Sequence, residues 1–183
     1  MIARRVIVPL AWTGLIFWLG GSDWSAESTR GYVLPLLHHL LPWASAESLD
    51  LAHLLVRKAG HVTGYAILGG LWWWTLRHWS AAVLLAALTA FLDETRQAFA
   101  IGRGASAVDV VLDAASAGFA VAVLAGGLAP TVDVATGVLL WLAAVVGSAL
   151  LLLDVATGAP AGWLWLSAPA AWLVLAWRRR IRT

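Results

Sequence analysis

Lysine, histidine and tyrosine occupy positions 58, 61 and 65, a spacing of i, i+3 and i+7 that places Lys58, His61 and Tyr65 on one helix face. Further along come Asp93, Glu94 and Gln97, then Arg103 between two glycines, then Ser106, Asp109 and Asp113. Asp93 and Gln97 stand at i, i+4, and Ser106, Asp109 and Asp113 share a second helix face, with Ser106 placed to cap that helix. Gly102 and Gly104 let the backbone turn tightly around Arg103, whose guanidinium suits a carboxylate or a phosphate. Lys58 and Arg103 can hold an anionic group. His61 with one of Asp93 or Glu94 can serve as a general acid–base pair, because neighbouring carboxylates separate their pKa values. Tyr65, Gln97, Arg103, Ser106, Asp109 and Asp113 then line the binding side of the same site. A divalent metal on Asp93, Glu94, Asp109 and Asp113 is the weaker reading, because a D-x-x-x-D spacing is common and unspecific. We expect no resident cofactor and assign no metal ligand.

The elements that position these groups follow from composition. The chain is 61% hydrophobic and only 12% charged, which no water-soluble domain of this length can bury, so lipid is the solvent for most of it. Thirteen tryptophans point the same way, since indole rings favour the headgroup level of a bilayer. The lack of cysteine excludes disulfides, thiolate metal sites and cysteine nucleophiles. A net charge of +2, concentrated at the termini, excludes a nucleic-acid partner. The expected fold is all-α, a polytopic transmembrane helix bundle of about six spans, with an extracytoplasmic interfacial amphipathic segment after the first.

Those spans are expected at Val6 to Gly21, Gly60 to Leu76, Trp79 to Leu92 or beyond, Ala107 to Leu128, Val134 to Leu153 and Trp163 to Trp177. The first resembles a signal peptide, but it lacks a small-x-small cleavage site and is expected to stay uncleaved. Between it and the second, Ser22 to Val56 reads as a turn followed by an amphipathic stretch broken at Pro35 and Pro42. Six spans put both termini on one side, with Arg4, Arg5, Arg77 and the arginines after Trp177, and that side should be cytoplasmic. The polar cluster then lies at the extracytoplasmic face. Ionisable groups at membrane depth are costly unless paired or wetted, so they mark a functional site by default. Plainer roles remain for others: Arg57 as a snorkelling anchor, His38, His39, His53 and His78 as interfacial residues, and Trp72-Trp73-Trp74 as an aromatic belt.

Two stretches, "RKAGHVTGYAILG" and "DETRQAFAIGRGASAVDVVLDAASAG", resemble the signatures of the VanZ-like family of bacterial integral membrane proteins. Those read approximately K-x-x-H-x-x-E-Y-x-x-L-G and D-E-x-x-Q-x-F-x-x-x-R-x-x-S-x-x-D-v-x-x-N/D-x-x-G. The early "FWLGGSDWSAEST" is similar to that family's first helix and serine-rich turn. The resemblance runs from about Ile7 to Gly126 and implies a VanZ-like four-helix membrane core over 1–128, followed by a C-terminal two-helix membrane extension over 129–183. It also places all ten residues of the cluster in the family's polar site. Gly64 departs from the pattern, since the family has glutamate there, and a carboxylate beside His61 is lost. The namesake's link with low-level teicoplanin resistance implies a role in the cell envelope and in glycopeptide resistance.

Two functions follow. In one, the polar Lys/His/Asp/Glu/Arg site binds or modifies an anionic lipid-linked or cell-envelope molecule at the extracytoplasmic face of the bacterial cytoplasmic (inner) membrane. Its partners would be membrane lipids and a lipid-linked envelope precursor. In the other, the chain is a non-enzymatic accessory transmembrane subunit of a larger membrane protein complex, and the charges form a structural ion-pair network. Whether the chain is an enzyme stays open at this point. Neither a G-x-S-x-G elbow nor a transporter-like inverted repeat is present.

Overall fold

Serines set where two of the helices begin. Ser25 accepts from the backbone N–H of Ser28 at 3.2 Å, and Ser45 does the same for Ser48 at 3.2 Å. They start α2 (Ala26–Leu40) and α3 (Ala46–Leu76), which α1 (Ile2–Leu19) and a 3₁₀ turn at Ser22–Trp24 precede. After them come α4 (Trp79–Gln97), α5 (Ala107–Gly126), α6 (Leu128–Thr157) and α7 (Leu164–Arg180). The computed structural model describes residues 2–99, 104–158 and 162–180, and among these there is no strand. The all-α expectation agrees.

The chain divides into two units, Met1–Gly126 and Gly127–Thr183. Gly127 lies between α5 and α6 with φ 93°, a backbone that disfavours any side chain. In the first unit, α3 is the central element and packs against α1, α2, α4 and α5. Its core is built from Tyr65, Leu68 and Trp72 of α3, an alanine stripe (Ala82, Ala86, Ala90) on α4, and Ala117 and Val121 on α5. Small residues replace bulk here because helices in lipid gain from close backbone approach. At Gly69 the approach is closest, since a Cβ there would lie 2.7 Å from the carbonyl oxygen of Ala117. In the second unit, α6 and α7 pack through Ala144, Ala171 and Leu175. Trp172 donates to Ser148 Oγ at 3.1 Å, and Arg178 pairs with Asp133 at 2.6 Å.

Several boundaries differ from the sequence expectation. Pro35 lies inside α2 rather than breaking it. The amphipathic stretch is not one surface segment: its second half is the start of α3, a continuous helix of 31 residues that includes the second expected span. Trp72 is 7% exposed and belongs to the core, so it cannot serve in an aromatic belt, while Trp74 stays exposed under Arg5. His53 is buried, with Thr29 of α2 as its partner. Among the described residues two helices, α5 and α6, are long and apolar enough to cross a membrane. A third span results if α1 and the segment Ser22–Leu40, bent by 71° relative to each other, are counted together.

Candidate functional site

Two rungs join α3 to α5. Lys58 forms an ion pair with Asp109, and one helical turn further on His61 Nδ1 lies 3.2 Å from Asp113 Oδ2. The i, i+3 spacing on α3 meets the i, i+4 spacing on α5, so the rungs stack along two packed helices. With a carboxylate on Nδ1 the imidazole is held in one orientation, and Nε2 is left to exchange a proton with another group. This is base-and-orienter geometry, with Asp113 as the orienter.

The end of α4 supplies the next layer. Asp93, 2% exposed, accepts from Arg96 Nη2 at 2.9 Å and from Gln97 Nε2 at 2.8 Å. Buried carboxylates need such donors to remain charged. Glu94 accepts from the backbone N–H of Ser106, and the Ser106 hydroxyl accepts from the Asp109 N–H at 3.3 Å. That last bond caps α5, as the sequence spacing predicts. These contacts form three neighbouring groups where α3, α4 and α5 meet, a polar network of Lys58–Asp109–Ser106–Glu94, His61–Asp113, and Asp93 with Arg96 and Gln97. Arg103 falls outside the described residues.

A cleft of about 550 Å³ opens between α1 and α3 beside this network. Its walls are mostly apolar, from Trp12, Ile16 and Leu19 on α1 and Ile67 on α3, while His61, Tyr65, Asp93 and Arg57 supply its polar groups. Tyr65 is 1% exposed. The Trp12 indole donates to the Gly64 carbonyl at 2.9 Å and fixes one wall to the other.

The Lys58–Asp109 pair agrees with the sequence reading, in which Lys58 and His61 face inward toward Asp93, Glu94 and Asp109. Three other features differ. The partner of His61 is Asp113 rather than Asp93 or Glu94, and Asp93 is held by Arg96. The four carboxylates of the metal reading are each held by a different group, and among the described residues no cluster of three or more His, Asp or Glu is arranged to hold a metal. Sequence reasoning missed Arg96, Trp12 and Gly20. Arg96 stands at i+3 from Asp93, a readable ion-pair spacing. Gly20 packs so tightly on the Asp93–Arg96 pair that a Cβ there would come 2.6 Å from Asp93 Oδ1. Nothing in a single apolar helix signals such a contact.

No curated protein and no solved structure matches the chain. The family model described as VanZ/LLP1 matches residues 6–128. That match covers more than half of the chain and takes in the cleft and the polar groups beside it, from Trp12 to Asp113: the chain belongs to the VanZ/LLP1 family.

Proposed function

We propose that this VanZ-like membrane protein binds an anionic lipid-linked or cell-envelope molecule in the cleft between α1 and α3, with His61 held by Asp113 as its proton-exchanging group. The observation that carries the reading is the cleft's composition: apolar helix walls beside a cluster of buried ionisable side chains. An apolar cavity with a few convergent polar groups is the usual form of a small-molecule site, and this one suits an amphiphile. The setting is a bacterial cytoplasmic membrane crossed about six times, with both termini cytoplasmic and the network at the extracytoplasmic face. Membrane lipids or a lipid-linked envelope precursor are the partners on this reading, with no nucleic acid. The implied link to glycopeptide resistance would run through that envelope molecule.

The test is mass spectrometry of lipids that copurify with the protein in mild detergent. An anionic amphiphile should be enriched on the native chain and depleted on His61→Ala, with both proteins monodisperse. An unchanged lipid profile would remove the reading. A second reading, the accessory subunit, is favoured by one feature: the network's charges already pair with one another, as a structural ion-pair array would. It requires comigration with another membrane protein in the same detergent.

A further inference from the structure

We propose that the α1–α3 cleft takes one anionic glycerophospholipid, its headgroup phosphate at Arg57 and an ester carbonyl at Tyr65. This rests on the anionic-amphiphile reading above and narrows it to a lipid class.

The order of charge along the cleft carries the argument. Arg57 donates from Nη1 to the Trp24 carbonyl at 3.0 Å and to Thr29 Oγ1 at 2.9 Å, both neutral acceptors. Among the described residues it has no carboxylate in ion-pair contact, whereas its neighbour Lys58 is paired with Asp109. The guanidinium therefore remains a net cation beside an apolar cleft, a match for a phosphate. Eight residues further along α3, about 12 Å at the standard helical rise, Tyr65 also lines the cleft. It is 1% exposed, and its hydroxyl has no hydrogen-bond partner among the described residues. A buried phenol is satisfied by an acceptor oxygen.

Asp93 and His61 set what that oxygen can be. They line the same cleft already paired with Arg96 and Asp113, so this depth offers no spare cation for a second phosphate, while an uncharged carbonyl needs none. A glycerophospholipid has this arrangement, an anionic phosphate followed by neutral esters and then hydrocarbon. A polyprenyl phosphate carries its oxygens at one end only and would leave Tyr65 unmatched. Gly60 and Gly64 provide room for the hydrocarbon, since nothing lies within 4 Å of where their Cβ atoms would stand.

The experiment is native mass spectrometry of the full chain, delipidated in mild detergent and titrated with four probes. These are dioleoylphosphatidylglycerol, its ether-linked analogue, dioleoylphosphatidylcholine and farnesyl phosphate. One phosphatidylglycerol should bind per chain, about tenfold more tightly than phosphatidylcholine, whose phosphate is the same but whose quaternary ammonium sets a second cation beside Arg57. Arg57→Gln should remove that preference. Tyr65→Phe should weaken the ester lipid several-fold and leave the ether lipid unchanged, which a merely structural loss would not do. Gly64→Leu, directed into open space, should block uptake in a protein that still folds, so the test survives any instability of the Arg57 variant. Equal binding of ester and ether lipids by the native chain, or a preference that persists in Arg57→Gln, would overturn the proposal. Arg57-dependent binding of farnesyl phosphate without phosphatidylglycerol would remove the glycerophospholipid assignment alone. If neither anionic lipid binds in an Arg57-dependent way, the broader reading goes too.

Discussion

His53 sits on α3 ahead of the expected membrane span, with Nε2 3.1 Å from Thr29 Oγ1 of α2. Burial first, then the nearby Arg57 and Arg30, push its pKa below the ordinary histidine value, and Asp50 opposes them. The folded state thus binds this proton less readily than the unfolded one. Its contribution to stability is full above about pH 6.5 and is lost as pH falls below it, until the folded-state pKa is reached. We expect thermal stability in detergent to decline as pH falls below about 6.5, by at most about 1.4 kcal/mol per pH unit from this one proton. His53→Gln, which can still bond Thr29, should flatten that decline, and parallel pH profiles for the two proteins would refute the assignment. The sequence offered no route to this role. His53 occurs in an amphipathic stretch beside other polar residues, and its partner is 24 positions upstream on another helix. Lys58, His61, Asp109 and Asp113 were readable because their spacing matches the helical period, which is local information.

At the level of helices, Gly69 and Ala117 decide how near α3 comes to α5, and so whether the Lys58–Asp109 and His61–Asp113 rungs can both close. A methyl at position 69 would stand 2.9 Å from Ala117 Cα, a contact only backbone movement relieves. Gly69→Ala should therefore destabilise the first unit by roughly 1–3 kcal/mol, the range for overpacking. Gly60→Ala meets open space and should be neutral or mildly stabilising, since alanine is the better helix former. Similar unfolding temperatures for the two variants would show that the crossing is not tight. Apolar periodicity revealed where most helices lie, but not where they stop. The chain runs helically through Pro35 and continues α3 upstream of Gly60, because tertiary packing of α2 on α3 through Thr29, His53, Arg57 and the Arg30–Asp50 pair supports both.

For the molecule as a whole, the first measurement to make is its direction in the membrane. The chain has no cysteine, so single cysteines at Gly104 and Thr183 can be labelled without background. An impermeant maleimide should reach Gly104→Cys from outside and Thr183→Cys only after the membrane is opened; the reverse pattern would place the network on the cytoplasmic side. Composition alone identified a membrane protein, yet α3 and α4 do not stand out as spans by length and apolarity. Lys58, His61, Asp93 and Glu94 lower the hydropathy of the helices that carry them, and a cluster of ionisable groups thus hides its own scaffold from such a reading. The Trp12–Gly64 bond has a further meaning for biogenesis. Its acceptor is made 52 residues after its donor. Helix α1 is therefore made with its indole unmatched, and Gly20 has no Asp93–Arg96 pair to rest on until α4 is complete. The wall of the cleft is synthesised first and completed last, so the growing chain holds no finished cleft until α4 has been made.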